Sequence, residues 1–135
     1  MRRSASRGKE PMLDGKLVVL VADDDPAVRD ALKFSLRLEG FDVRGCRNGK
    51  ELLDHPALMD CDCILLDYKM PELSGLDVLP QLFARDVRAP VIFMTGPLSE
   101  DLRRRAITAG ALRVVEKPLL DSVLTEQIRE LAARE

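Results

Sequence analysis

The sequence predicts an α/β fold, a single (βα)5 doubly wound parallel sheet with the strand order 2-1-3-4-5. The first observation behind this prediction is that five short apolar runs alternate with five segments whose apolar residues recur at helical spacing. The second is that the first, third and fourth runs are continuously apolar, whereas the second and fifth contain charged residues. Continuously apolar strands are typical of the centre of a parallel sheet, so the second and fifth strands are expected at its edges.

The first β/α unit is bounded by residues that begin and end helices. The first strand is expected over residues 17–22. The helix that follows begins at Pro26, where a missing N–H has no cost, and Asp25 is its N-cap. Gly40 ends this helix. The second strand follows and alternates apolar with polar residues, so one of its faces is expected to be solvated.

The middle of the chain gives two helices and one strand. Asn48 caps a short second helix, and residues 63–66 form the third strand. Ser74 caps the third helix, with Asp77 at the acidic position of a capping box. Pro80 falls inside that helix and is expected to weaken or bend it, because proline removes a backbone hydrogen bond.

The last two units follow the same pattern. Residues 91–94 form the fourth strand, Ser99 opens the fourth helix and Gly110 closes it. Residues 112–115 form the fifth strand. The fifth helix carries one apolar face, made of Val123, Leu124, Ile128 and Leu131.

The composition indicates one globular domain. The chain has 135 residues, of which 46% are hydrophobic and 33% charged, and its formal net charge is −2, so it has no basic footprint for nucleic acid. No apolar run approaches the roughly 20 residues that span a bilayer. The basic start lacks the apolar stretch of a secretory signal. Residues 1–14 are therefore expected to be a flexible N-terminal tail, and residues 15–135 the folded domain.

The three cysteines, Cys46, Cys61 and Cys63, indicate a reducing compartment. Their odd number and irregular spacing do not fit a disulfide framework, so a cytoplasmic location is expected. A zinc site would need two further soft ligands beside Cys61 and Cys63, and the chain has a single histidine, His55. A role in packing is the favoured interpretation.

Ionisable residues directly follow three of the predicted strands. Asp23 and Asp24 follow the first strand, Asp67 the third and Lys117 the fifth. Because the carboxyl ends of parallel strands share one edge, where open α/β sheets bind ligands, these side chains are expected in one pocket. Their formal charges sum to −2, which favours a bound cation. Carboxylate oxygens are hard ligands, so the expected cation is Mg²⁺.

The same pocket has the groups that phosphoryl transfer requires. Thr95 ends the fourth strand, and its hydroxyl can hydrogen-bond one phosphoryl oxygen while Lys117 pairs with another. Asp67 is the expected covalent acceptor, forming an acyl phosphate, in a reaction that depends on positioning and charge neutralisation. The simpler alternatives are that the acidic residues form a solvated turn and that Lys117 makes a surface ion pair.

These motifs together resemble the receiver domain of two-component response regulators, of the chemotaxis-response-regulator-like kind. The resemblance runs from about residue 17 to residue 133, nearly the whole ordered chain. Each motif is weak alone, but four in the right order, each after a strand, are specific. The matching residues are Asp23-Asp24, the segment from Asp67 to Gly75, Thr95-Gly96 and Lys117-Pro118.

The resemblance implies a fold of the flavodoxin-like arrangement and a specific set of site residues. Asp67 would accept a phosphoryl group from a phosphohistidine of a sensor histidine kinase or of a histidine phosphotransfer protein. Asp24 and Asp67 would hold Mg²⁺ directly. Asp23 would hold it through water, and Lys69 through its backbone carbonyl. The resemblance also implies a cis peptide bond before Pro118, since X-Pro bonds are where cis is least costly.

The resemblance further implies switching through the face formed by helix 4, strand 5 and helix 5. Phosphorylation adds about −1.5 to −2 charge and would shift the population between two states of this face. A downstream effector protein or an output domain would read the change. The family often has an aromatic residue three positions before the lysine, where this chain has Val114.

Two other functions share part of this pattern. A flavodoxin-like cofactor binder shares the topology, but it would need a Ser/Thr/Gly-rich phosphate loop where this chain has Asp23, Asp24 and Asp25. A degenerate receiver acting as a phosphorylation-independent interaction module is the alternative. In the favoured interpretation the domain assists its own phosphorylation and dephosphorylation and is not a turnover enzyme on an external substrate.

The expected partners follow from the same interpretation. Neither nucleic acid nor a membrane is expected to bind this domain directly, and the domain is expected to be a monomer or a phosphorylation-dependent dimer. The sequence stops at the fifth helix, so we expect either a stand-alone regulator or the front part of a longer regulator with an output domain.

Overall fold

A five-stranded parallel sheet with helices on both faces forms the domain. The computed structural model describes residues 15–119 and 121–133. The predicted N-terminal tail, residues 1–14, lies outside the described residues. In chain order the elements are β1 Val18–Ala22, α1 Pro26–Leu38, β2 Asp42–Cys46, α2 Gly49–Leu53, β3 Cys63–Asp67, α3 Gly75–Ala84, β4 Val91–Thr95, α4 Glu100–Ala109, β5 Arg113–Glu116 and α5 Asp121–Ala132. The strand order β2-β1-β3-β4-β5, all in parallel pairs, confirms the predicted fold class.

The two faces of the sheet bury separate apolar clusters. Residues of β1, β3 and β4 alternate between the two clusters, as expected for strands covered on both sides. On one face the sheet packs against α2, α3 and α4, through side chains that include Leu52, Val78, Leu82, Leu102 and Ala106. On the other face it packs against α1 and α5, through Leu32, Leu36, Leu124, Ile128 and Leu131.

The predicted helix ends are confirmed at most positions. Asp25, Asn48 and Ser99 each cap a helix by accepting a backbone N–H of the first turn. Ser74 and Asp77 form both hydrogen bonds of a capping box at the start of α3. That helix continues through Pro80, whose side chain lies on the exposed surface.

The parallel register aligns the carboxyl ends of the strands. Ala22 of β1 lies beside Leu66 of β3, so Asp23 and Asp67 leave neighbouring strands at the same level. Asp67 lies beside Met94 of β4, and Thr95 beside Glu116 of β5. The residues that follow these strands are therefore collected along one edge of the sheet.

Gly75 begins α3 at a point where the helix touches the end of β3. A Cβ atom at this position would overlap the backbone carbonyl oxygen of Asp67 and lie 2.8 Å from Cε1 of Phe93. The N–H of Gly75 donates to the carbonyl oxygen of Tyr68 at 2.8 Å. The absence of a side chain thus lets α3 pack directly on the strand end that carries Asp67.

Replacing Gly75 with alanine is expected to destabilise the domain by about 2 kcal/mol, because the strand end or the helix must move to admit the methyl group. Gly96→Ala is the matched control, since no described atom outside its two chain neighbours lies within 4 Å of a Cβ added there. The control is expected to change stability by no more than about 0.5 kcal/mol. Urea unfolding of the two variants measures the difference, and equal midpoints would show that the close approach relaxes without cost.

Cys46, Cys61 and Cys63 are buried within the domain. Burial raises the pKa of the Cys46 thiol to about 12, with a smaller contribution from the charge of Glu51. Burial likewise raises the pKa of Cys63. Among the residues described, no helix is both long and apolar enough to cross a membrane.

Candidate functional site

The strand ends bring three carboxylates and one ammonium into a single cluster. Oxygen atoms of Asp23, Asp24 and Asp67 all lie within 4.8 Å of one another. The Nζ atom of Lys117, which follows β5, lies 2.9 Å from Oδ2 of Asp23 and 2.9 Å from Oδ1 of Asp67. The four side chains that the sequence predicted to converge are therefore brought together by the fold.

Asp67 lies at the carboxyl end of β3 and is almost completely buried, with 4% of its surface exposed. Lys117 contacts its Oδ1 atom. Among the residues that the structure describes, no group hydrogen-bonds the second oxygen, Oδ2. One oxygen of this carboxylate is thus bonded to an ammonium, and the other can bond a ligand.

Asp23 is fully buried and hydrogen-bonded at every polar group. Its N–H donates to the carbonyl oxygen of Cys46 at 3.1 Å, and its own carbonyl oxygen accepts from Nη1 of Arg29 at 2.7 Å. Its Oδ1 accepts from the N–H of Asp25 at 3.0 Å, and its Oδ2 accepts from Lys117. Asp23 therefore holds the loop after β1 in place as well as contributing charge.

Asp24 differs from its neighbour in both exposure and bonding. Its side chain is exposed. Within the described part of the chain, its carboxylate makes no hydrogen bond or ion pair, although it lies close to Asp23 and Asp67. Asp24 is thus the carboxylate of the cluster that is open to solvent.

The charges in the cluster shift the protonation of Asp67 and Lys117. Burial raises the pKa of Asp67 to about 6, opposed by the Lys117 ammonium and reinforced by the charges of Asp23 and Asp24. Burial by itself would lower the pKa of Lys117, but its bonds to Asp23 and Asp67 outweigh that effect and raise it. Without a bound cation, the ionised form of Asp67 is therefore less favourable in the folded domain than in the unfolded chain.

The donor set fits a hard divalent cation. Three carboxylates and one ammonium leave a formal charge of −2 in a small volume. The oxygens available for a cation are those of Asp24 and Oδ2 of Asp67, because both oxygens of Asp23 already accept hydrogen bonds. Mg²⁺ suits such a site, since it binds one or two carboxylates and keeps several waters.

Thr95, Lys69 and Val114 complete the set of residues that the sequence predicted. Thr95 is buried at the end of β4, and its hydroxyl donates to the carbonyl oxygen of Pro97 at 3.4 Å. Lys69 is exposed in the loop after β3, and Val114 is buried in β5. The Lys117–Pro118 peptide bond is cis, as the resemblance implied.

Arg29 is a residue of this region that the sequence did not indicate. It lies on α1, one turn beyond the N-cap Asp25. From the sequence alone, a basic residue at this position is expected to belong to the solvated face of the helix. Its bond to the carbonyl oxygen of Asp23 depends on the path of a long side chain across the sheet edge. No spacing or periodicity in the sequence signals such a contact.

A family model and curated relatives place the chain in the same protein family. The family model for the response regulator receiver domain matches residues 19–129. The response regulator protein TmoT of Ectopseudomonas mendocina is 34% identical over 122 residues, which are 90% of this chain and 56% of that protein. The transcriptional regulatory protein FixJ of Azorhizobium caulinodans is 37% identical over 87% of this chain and 56% of its own length. The chain thus spans about half the length of these curated relatives.

Solved structures show the same similarity at the level of the fold. The receiver domain of the Francisella response regulator 1452 superposes with a TM-score of 0.83 at 28% identity, covering 88% of this chain and 98% of that one. The FixJ-N crystal structure gives a TM-score of 0.79 at 29% identity, covering 89% of this chain and 96% of its own.

Proposed function

The chain belongs to the response regulator receiver domain family, and on that premise we propose that it is a phosphoacceptor signalling domain of a two-component system. The observation that carries the proposal is the environment of Asp67. This carboxylate is buried at a strand end, bonded to Lys117 through one oxygen only and adjacent to two further carboxylates. The proposed phosphoacceptor is therefore Asp67.

In the proposed reaction an oxygen of Asp67 attacks the phosphorus atom of a phosphohistidine. A new P–O bond forms, the P–N bond breaks, and its electron pair stays on the imidazole nitrogen of the donor. Lys117 stays within reach of the product and offsets part of its charge. The Thr95 hydroxyl leaves its bond to the Pro97 carbonyl to donate to a phosphoryl oxygen. The phosphoryl donor is a sensor histidine kinase or a histidine phosphotransfer protein.

Mg²⁺ is the proposed cofactor of this reaction. Asp24 and Asp67 would hold it directly, Asp23 through water and Lys69 through its backbone carbonyl. When bound, a divalent cation neutralises charge on the transferring phosphoryl group. The support is the acidic cluster itself, whose oxygen donors lie within 4.8 Å of one another.

Labelling with acetyl phosphate tests the proposed function. We expect intact-mass spectrometry to show one added phosphoryl group when Mg²⁺ is present, and none in excess chelator. Asp67→Asn should remain unlabelled, whereas Asp54→Asn, which removes the exposed carboxylate of the α2 C-cap residue, should label like the wild type. A wild-type protein that stays unmodified would favour the degenerate module that binds partners without phosphorylation.

Mg²⁺ is also expected to stabilise the folded protein. At ten times its dissociation constant the ion should add about 1.4 kcal/mol to the free energy of unfolding. Asp24→Asn should lose most of this gain while remaining folded without metal, because it removes an exposed ligand that bonds nothing else among the described residues. Thermal unfolding with and without Mg²⁺ measures both effects. An undiminished gain in the variant would remove Asp24 from the metal site.

The output surface proposed for this domain is the face formed by α4, β5 and α5. Ile107 of α4 and Val123 of α5 are 46% and 47% exposed, and Leu112, directly before β5, is 43% exposed. Arg103, Arg104 and Arg105 add positive charge on α4. The curated relatives are about twice as long as the matched region, and we propose an effector protein or an output domain as the partner of this face. The proposed location of the protein is the cytoplasm.

A further inference from the structure

The position of the Asp24 carboxylate depends on the backbone of the loop after β1. Within the described residues its carboxylate has no hydrogen-bond or ion-pair partner, so no contact of the side chain itself holds it toward Asp67. The peptide group between Asp23 and Asp24 determines where the Asp24 side chain leaves the loop. The carbonyl oxygen of that peptide accepts the 2.7 Å hydrogen bond from Nη1 of Arg29.

The side chain of Arg29 reaches this carbonyl across β2, at a position without a side chain. A Cβ atom added to Gly45 would lie 3.0 Å from Cδ and 3.2 Å from Cγ of Arg29. Lys33, one turn further along α1, passes the same glycine, with its Cδ atom 3.2 Å from the added Cβ. The two basic side chains lie side by side, but only the guanidinium donates to the acidic loop.

We propose that Arg29 is a positioning residue for the metal site, which holds the Asp23–Asp24 peptide so that the Asp24 carboxylate faces Asp67. The inference rests on the proposed function, because it takes the carboxylate cluster to be a Mg²⁺ site. It adds to that function a residue that touches neither the ion nor the phosphoryl group. The N–H of Asp23 is fixed by the carbonyl oxygen of Cys46, so Arg29 completes the anchoring of this residue's backbone.

The charge of Arg29 and its positioning role have opposite effects on metal binding. Removing a positive charge near the site would, by electrostatics alone, tighten the binding of a cation. Loss of the positioning bond would weaken it, and loss of a residue that orients a metal ligand typically costs about tenfold or more in affinity. The direction of the change therefore separates the two roles.

The test is a Mg²⁺ titration of the metal-free protein, in which binding is measured by calorimetry or by the shift in thermal unfolding. Arg29→Met is expected to weaken Mg²⁺ binding about tenfold. The matched control is Lys33→Met, which removes a positive charge from the same face of α1 and is expected to leave the affinity unchanged or slightly tighter. Should the methionine variant fail to fold, Arg29→Gln is tested in the same way.

A double-mutant cycle with Asp24→Asn tests the route of the effect. If Arg29 acts through Asp24, then Arg29→Met should change the affinity by less than about twofold in the Asp24→Asn background. An equal loss in both backgrounds, or an affinity in Arg29→Met as tight as in the wild type, would overturn the inference and leave the proposed function intact. A wild-type protein that binds no Mg²⁺ would overturn the metal part of the proposed function and this inference with it.

Discussion

An Asp67→Asn variant is expected to be more stable than the wild-type protein at neutral pH in the absence of metal, by up to about 3 kcal/mol. The cause is the raised pKa of Asp67, which moves from 3.8 to about 6 on folding, chiefly by burial. An ionised carboxylate is thus harder to accommodate in the folded state than in the unfolded chain. Asparagine keeps the shape of the side chain and removes that charge.

The pH dependence of this gain has a defined sign. Between about pH 4 and about pH 6 the folded wild type binds more protons at Asp67 than the unfolded chain does, so its free energy of unfolding falls as pH rises. Asparagine does not titrate. The advantage of the variant should therefore be small at the acidic end of this window and complete at its upper end.

Urea unfolding in chelator, at a series of pH values, measures the difference. Asp54→Asn serves as the control for net charge, because Asp54 is the exposed C-cap residue of α2 and its carboxylate makes only a solvent-exposed ion pair with Lys50 among the described residues. A gain in Asp67→Asn that is the same at all pH values would contradict the argument from burial. Saturating Mg²⁺ should reduce or reverse the ranking, since the wild type gains a bound ion and the variant has lost one of its ligands.

A Lys117→Met variant is expected to lose about 3 kcal/mol of stability at neutral pH without metal, the lower end of the range for breaking a buried ion pair. The ammonium bonds two carboxylates at once, and 22% of its side chain is exposed, which moderates the loss. Its removal leaves Asp23 and Asp67 facing each other without a cation. Methionine fills a similar volume, so the change reports mainly on charge.

The loss should shrink as the pH falls toward about 6, because without the Lys117 ammonium the pKa of Asp67 rises further and its protonation relieves the repulsion. It should also shrink in the Asp67→Asn background, where a single buried carboxylate remains in contact with residue 117. Urea unfolding of the two single variants and the double variant measures this coupling. If Lys117→Met were as stable as the wild type at neutral pH, the two 2.9 Å contacts would have no net energetic role.

The fold could be predicted from the sequence because its signals are local. Continuous apolar runs identified the three central strands, and capping residues such as Asp25 and Ser74 fixed the starts of helices. Hydropathy does not predict the exact ends of the strands, because backbone pairing with the neighbouring strand decides where each strand begins and ends. The fifth strand was expected over residues 112–115, but it runs over Arg113–Glu116, where Glu116 pairs with Thr95 and Leu112 remains outside the strand.

The convergence of the site residues could also be predicted, because each follows a parallel strand at the same sheet edge. Their individual bonds could not. That Lys117 contacts Asp23 as well as Asp67 depends on the path of the chain after β5. The bond from Arg29 to the Asp23 carbonyl depends on space above Gly45, which no pattern of residue types reveals.

The burial of all three thiols gives the domain a built-in reporter of its own dynamics. Cys46, Cys61 and Cys63 present little or no surface to a reagent, and the raised pKa of Cys46 leaves almost none of that sulfur as thiolate at neutral pH. Alkylation of Cys46 and Cys63 in the native protein must therefore wait for conformations in which an end of β2 or β3 separates from its neighbours. The rate of thiol alkylation therefore measures how often these openings occur. A ligand that bridges the ends of β1 and β3 should lower this rate.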